Sequence, residues 1–132
     1  MLINVVTLFP EMFSAIADCG VTSRAIDKGL INMRFFNPRE FAKDRHRKVD
    51  DKPYGGGPGM LMKIEPLVAA IKAAKDELIE DTNDRAVKVA YLSPQGKVLD
   101  QAGVEKVASI DRLVLLCGRY QGIDQRVIDQ EV

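Results

Sequence analysis

An α/β domain with a largely parallel sheet and helices on both faces is predicted by three features of this 132-residue sequence. Short β-branched apolar runs alternate with amphipathic helical stretches, the pattern of βαβ units. Leu2–Leu8 and Leu113–Cys117 are apolar at most positions, as strands buried on both faces require. The length suits one domain of common size, which can bury a core without disulfide or metal staples.

The first strand, Leu2–Leu8, ends at Phe9-Pro10 because proline lacks the amide donor that a ladder needs. Pro10 suits the first turn of a helix, with Glu11 near the positive end of its dipole and Met12, Phe13 and Ile16 on one face. Gly20 is expected to end that helix. A shorter helical piece, Thr22–Lys28, leads through Gly29 to a second strand, Leu30–Phe36. Asn37-Pro38-Arg39-Glu40 combines an Asn cap, a Pro at the first helical position and a Glu at the third, so a short helical turn follows.

Residues 42–59 carry few apolar side chains, many charges and four glycines near their end, which fits neither period and predicts a long loop. Loops of more than about 12 to 15 residues in compact domains are usually functional or disordered, so this one is a candidate binding segment. The clearest helix opens at Pro66 and carries Leu67, Ala70, Ile71, Ala74 and Leu78 on one face. Asp81-Thr82-Asn83-Asp84 reads as a polar turn, Val87–Leu92 as a third strand and Ser93-Pro94-Gln95-Gly96 as a loop. Asp100 is the expected cap of a helix carrying Val104, Val107 and Ala108. Leu113–Cys117 is the fourth strand, Gly118–Gly122 a tight loop and Ile123–Val132 a final helix. Ligands of parallel sheets bind beyond the carboxyl ends of the strands, so the loops after Leu92 and Cys117 are expected on one rim, facing one ligand.

Nineteen Lys and Arg against nineteen Asp and Glu give a net charge of zero, which excludes the globally basic signature of a protein that coats nucleic acid. An anionic partner must be met by a local patch. Cys19 and Cys117 stand far apart and outside any Cys-x-x-Cys spacing, which argues against a disulfide framework or a zinc site. The amino terminus has no basic region ahead of its short apolar run, and no stretch approaches the ~20 apolar residues of a membrane span. A soluble protein with reduced thiols, in the cytoplasm, is the expectation.

The run Tyr54-Gly-Gly-Gly-Pro-Gly-Met60 invites a phosphate-loop reading, because glycine lets backbone amides approach an anion. That reading fails in detail: no Gly-Lys-Ser/Thr follows, and Pro58 removes a donor. Standing alone, the run is as readily a turn-rich reversal of the chain. Before it, Lys43-Asp-Arg-His-Arg-Lys48 holds four basic residues and one acid, a local charge of +3 with His46 neutral. Such runs are more often plain solvated surface; beside a long glycine loop this one is a candidate contact for a phosphate backbone. Asp50 and Asp51 could accept hydrogen bonds from a base edge such as guanine N1 and N2, and Tyr91 and Tyr120 could stack on a flat ring. Cys117 reads as a small buried hydrophobe with no activating base in view, and Met60 and Met62 as packing. No Ser-His-Asp order, His-x-x-x-His or carboxylate cluster suggests hydrolysis or a metal enzyme, so no metal ligands are expected.

Together, Thr7-Leu-Phe-Pro-Glu-Met-Phe13, Arg45-His46, Asp50-Asp-Lys-Pro-Tyr-Gly-Gly-Gly-Pro-Gly-Met60, Tyr91-Leu-Ser-Pro-Gln-Gly96 and Leu116-Cys-Gly-Arg-Tyr120 resemble the bacterial tRNA (guanine-37-N1)-methyltransferase family. The likeness runs in order and covers essentially the whole chain. It implies that residues 1–132 form a SPOUT-type methyltransferase domain, an α/β sheet with a C-terminal trefoil knot that is truncated here. It also implies a homodimer with sites at the interface, S-adenosylmethionine bound bent, and methyl transfer to N1 of the guanosine just 3′ of the anticodon of tRNA, which maintains the reading frame. By position, the resemblance assigns Tyr91, Leu92, Ser93, Pro94 and Gly96 to the adenine side of the cofactor site. Gly118, Arg119, Tyr120 and Gly122 form its second loop. Arg45, His46, Asp50, Tyr54 and Gly59 are implied on the RNA side, with Asp50 and Gly59 serving the other subunit's target guanine. Arg119 is the implied supporting catalytic residue, stabilising charge on the guanine oxygen as N1 loses its proton. Magnesium is a further cofactor implied for the intact enzyme.

Two departures bear on these expectations. The family loop usually reads Gly-Arg-Tyr-Glu-Gly, whereas Gln121 stands in the fourth position here and removes a negative charge beside the reaction centre. Beyond the point where this sequence stops, the family continues into a third cofactor loop, a linker bearing the aspartate general base and a helical tRNA-binding domain. Residues 1–132 alone are therefore expected to be inactive, since N1 must lose a proton as it attacks. Two other readings use the same sheet: a non-catalytic nucleotide or RNA-binding module, and a different SPOUT RNA methyltransferase acting on ribose hydroxyls. The Gly-Gly-Gly-Pro-Gly-Met run argues against the latter.

Overall fold

The computed structural model describes residues 1–80 and 86–132, so the expected polar turn at Asp81–Asp84 lies outside the described residues. Its centre is a four-stranded parallel sheet in the order β2-β1-β6-β5. β1 spans Leu2–Val6, β2 Asn32–Phe36, β5 Lys88–Tyr91 and β6 Arg112–Leu116. β1 pairs on both edges, Val6 opposite Phe36 of β2 and Leu116 of β6, and Tyr91 of β5 lies opposite Leu116. Val5, Val6, Leu113, Val114 and Leu116 are buried, which is why β1 and β6 read as nearly continuous apolar runs.

Between β1 and β2 lie a 3-10 turn at Pro10–Phe13 and two short helices, α1 (Ser14–Ala17) and α2 (Gly20–Asp27). Gly20 therefore opens a helix rather than closing one: at φ +72 it turns the chain into α2, a backbone conformation that glycine adopts without strain. The Phe13 ring packs 5.2 Å from that of Phe35 and so seats this segment against β2. The turn at Pro38–Phe41 is capped as the sequence indicates, the Arg39 amide donating to Asn37 Oδ1 at 3.0 Å.

α3 (Ile64–Glu80) begins two residues before Pro66. Its predicted stripe of Leu67, Ala70, Ile71, Ala74 and Leu78 is buried throughout, against Val6, Val114 and Leu116. Each of the larger side chains in such a stripe contributes about 1.5–3 kcal/mol by leaving water. Asn4, the polar interruption in β1, faces the same helix and donates from Nδ2 to the Ala74 carbonyl and to Glu77 Oε2, both at 2.9 Å. Glu77 in turn pairs with Arg34. α4 (Gln101–Ala108) joins β5 to β6, its first turn capped by Asp100, which accepts from the Gly103 amide at 2.7 Å. Right-handed crossovers place α1, α2 and α4 on one face and α3 on the other. α5 (Gln125–Glu131) follows β6 and packs on α3, with Lys75 Nζ 2.5 Å from Glu131 Oε2. It starts two residues later than predicted, because Ile123 enters the core and Asp124 becomes the cap, accepting from the Arg126 amide at 3.0 Å.

The expected long loop at 42–59 is partly ordered as a ribbon. β3 (Asp50–Asp51) pairs antiparallel with β4 (Leu61–Met62), and Val49 and Met62 anchor it in the core. The Lys63 amide donates to the Val49 carbonyl at 2.8 Å.

Candidate functional site

Three loops gather at the carboxyl rim of the sheet, after β1, β5 and β6, and the glycine-rich segment joins them from the side. The loop after β5 begins with the Leu92 amide donating to the Leu116 carbonyl at 3.1 Å, which keeps it parallel to β6 one residue beyond the strand. It then closes a turn: the Gly96 amide donates to the Ser93 carbonyl at 3.1 Å and the Gln95 amide to Ser93 Oγ at 3.2 Å. Pro94 and Gly96 are exposed, Ser93 is half-buried, and Leu92 is left 59% exposed beside them.

The loop after β6 is pressed against the first one. A Cβ on Gly118 would lie 2.9 Å from Tyr91 Cε2 and 3.0 Å from its hydroxyl oxygen, so only glycine lets the two loops meet at this separation. The expectation that these loops share one rim is met through that contact. The half-buried Tyr91 ring is a wall for Gly118, whereas Tyr120, at φ +62, projects outward and is 42% exposed. Arg119 does not reach toward the first loop. Its guanidinium lies 5.3 Å over the Phe9 ring, on the side facing β1, where the aromatic face attracts the cation.

That side holds a groove of about 290 Å3 lined by Phe9, Met12, Phe13, Ile16, Cys117 and Arg119, among others. It sits between β1 and β6, whose following connections leave toward opposite faces of the sheet. Such a divergence opens a crevice at the strand ends, where open α/β sheets bind ligands. Phe9, Met12 and Ile16 were missed as groove residues in the sequence. Strand order would have found them, because the divergence is visible once β1 and β6 are known to be neighbours. Burial pushes the Cys117 thiol up from its ordinary pKa, which suits a packing role.

The segment of candidate RNA residues divides in two. Arg45 and His46 lie exposed on an arch folded by Asp44, which accepts from the backbone amides of Lys48 and His46 at 3.1 and 3.2 Å. The Lys48 amide bond above all holds the Asp44 carboxyl below the usual range. Tyr54 is fully exposed at the start of the glycine run. Asp50 and Gly59, by contrast, are tied to the loop after β6 within this same chain. Asp50 pairs with Met62, whose amide donates to the Gly122 carbonyl at 3.1 Å. The Gln121 amide donates to the Met60 carbonyl, also at 3.1 Å. The Gln121 side chain lies directly on Gly59.

Among the described residues, no group of three His, Cys, Asp or Glu side chains could hold a metal ion, and Gln121 offers a neutral amide beside the loop. The rim does fit a flat, partly apolar ligand: close-packed loops with exposed backbone, an aromatic wall and a guanidinium at the crevice.

A parallel sheet whose glycine-bearing loops meet at the strand ends, next to a crevice between diverging connections, defines a ligand-binding α/β domain. The sequence matches the profile of the tRNA (Guanine-1)-methyltransferase TrmD family over residues 1–132, and the chain belongs to that family. It is 58% identical over 132 residues to the tRNA (guanine-N(1)-)-methyltransferases of Salmonella newport (strain SL254) and Salmonella typhimurium, covering 100% of this chain and 50% of each relative. The crystal structure of tRNA (m1G37) methyltransferase from Aquifex aeolicus superposes with a TM-score of 0.79 at 35% identity, covering 98% of this chain and 56% of that one. The SPOUT-type fold expected from the motifs is thus the fold of this chain, which spans about half the length of the curated relatives it matches. Among the described residues no helix is long and apolar enough to cross a membrane.

Proposed function

We propose that this chain supplies the cofactor site and the target-base loop of a cytoplasmic tRNA methyltransferase that uses S-adenosylmethionine to methylate N1 of guanosine 37. The observation that carries the reading is the close packing of the Tyr91–Gly96 and Gly118–Gly122 loops, through Tyr91 and Gly118, in a chain that matches the family over its full length. Tyr91, Leu92, Ser93, Pro94 and Gly96 wall the adenine, and Gly118, Tyr120 and Gly122 carry the other part of the donor.

Held by these loops, the donor would supply an electrophilic sulfonium methyl group to N1 of the guanine and leave as a neutral thioether, while a general base would take the N1 proton. The residues of this chain contribute position more than acid or base power. Aligning donor and acceptor at a near-attack distance is the larger part of such a barrier. Arg119, held over Phe9, stabilises charge that develops on the guanine oxygen. Asp50 accepts from the guanine edge, and Arg45, His46 and Tyr54 contact the RNA backbone and a neighbouring base. In this reading the proton acceptor is the aspartate that the family resemblance implies for the intact enzyme.

The active form is a homodimer in the same proposal. Met12, Val21, Val98 and Leu99 are 67%, 73%, 90% and 64% exposed, apolar side chains that a partner subunit would cover in this reading. The decisive assay incubates the full-length gene product with unmodified tRNA and methyl-labelled S-adenosylmethionine, then maps the product by nuclease digestion and mass spectrometry. 1-Methylguanosine at position 37 is expected. Ribose methylation, or none, would overturn the proposal.

A further inference from the structure

Gln121 departs from the Glu of the family motif, and its side chain covers the Cα of Gly59. A Cβ placed on Gly59 would fall 2.1 Å from Gln121 Cδ and Nε2 and 2.4 Å from Oε1. Gly59 is at φ +94, a backbone conformation that favours glycine, and a side chain there would displace the end of Gln121 from its place on the loop. The two segments are joined just beyond the contact, by the Gln121 amide on the Met60 carbonyl and by the Met62 amide on the Gly122 carbonyl. Gly55, Gly56 and Gly57 have nothing within 4 Å of the same notional Cβ. The glycine loop is therefore open at its tip and anchored at one end, and the anchor is the loop after β6. That loop meets Tyr91 through Gly118, so a line of contacts runs from the Tyr91–Gly96 loop to the Gly-Pro loop.

We propose that Gln121 is a positioning residue that couples the cofactor site to the target-base site through Gly59. This rests on the reading of those loops as donor and RNA sites. A segment with several glycines at positive φ has many conformations to lose when it closes on a base, and a neighbour that already holds one end lowers that cost. A ligand that rigidifies the Gly118–Gly122 loop restrains Gln121 in the place that it already takes on Gly59, and so keeps the Gly-Pro loop prepared for RNA. Reciprocity requires that RNA then tighten the adenosyl ligand by the same factor. The coupling works by packing. A neutral amide lies against a backbone Cα without removing water from a charge, and the contact needs no metal.

The test is calorimetric titration of the full-length gene product with S-adenosylhomocysteine, alone and with a saturating anticodon stem-loop RNA. For the unmodified protein the RNA is expected to tighten binding by about fivefold or more. In Gln121→Ala that ratio falls to near one, while the isosteric Gln121→Glu retains it. A merely structural role would weaken both ligands and leave the ratio as it was, and an unchanged ratio in Gln121→Ala would overturn the proposal. An unmodified protein that binds both ligands with a ratio of one also overturns it and leaves the site reading intact. One that binds neither overturns the site reading and the coupling with it. A ligand-free measurement checks the contact itself. Gly59→Ala should lower Tm, and Gly59→Ala combined with Gln121→Ala should recover part of the loss; strictly additive effects would show that the two residues do not touch.

Discussion

The layer of β1, β6 and α3 and the rim of loops above it are built from the same chain by opposite means. In the layer, identity resides in side chains: Leu67, Ile71, Val114 and Leu116 fill space, and any residue of like volume and polarity serves almost as well. At the rim, identity resides in missing side chains, at Gly118 beneath Tyr91 and at Gly59 beneath Gln121. The first region secures stability by burial, the second gains close approach by leaving atoms out. The difference teaches that stability and ligand binding should respond to separate sets of substitutions.

The sharpest way to break that comparison is Ile71→Ala, which empties a fully buried position and should cost about 3 kcal/mol of unfolding free energy in urea. S-adenosylhomocysteine affinity of the folded fraction should stay within about twofold. An equal fall in affinity would show that the layer and the rim are not separable. Next in size is Gly118→Ala, whose new Cβ would meet the Tyr91 ring at 2.9 Å. The ring must shift, and adenosyl-ligand affinity should drop about tenfold, or about 1.4 kcal/mol, while stability changes by less than about 1 kcal/mol.

The smallest effect concerns Asp124, which caps α5 next to the rim. Its carboxyl is held down to about 2, first by the Arg126 side chain and then by the Arg126 amide. A folded-state value below the ordinary 3.8 means that the stabilisation is fully present above about pH 4 and is lost as pH falls through about 2. An NMR titration of the Asp124 carboxyl should show that midpoint, and Arg126→Ala should move it back toward the ordinary value. A midpoint that does not move would assign the shift to the cap alone.

Much of the layer was legible before any coordinates. The α3 stripe has a 3.6-residue period, the caps at Asn37, Asp100 and Asp124 are local interactions, and Asn37 and Asp100 can be read from a few consecutive residues. The β3–β4 ribbon was not legible, since strands of two residues have no period to detect. Gly20 misled for a related reason: a glycine at positive φ marks a change of direction, and both the end and the beginning of a helix can use one. The loop motifs at Tyr91–Gly96 and Gly118–Gly122 stood out as strings of residues, and their family resemblance pointed to one site. The groove formed by Phe9, Met12 and Ile16 did not stand out, because it exists only where β1 meets β6.

Sequence alone settled the class of fold and the helix that covers the sheet, and it marked out the candidate segments for chemistry, since each is encoded in local periodicity, capping or an unbroken motif. Only the tertiary structure settled that Gln121 rests on Gly59, that Arg119 lies over Phe9 and that Tyr91 walls Gly118. Those contacts join residues far apart in the chain, and strand order and loop closure, which no local pattern records, bring them within reach.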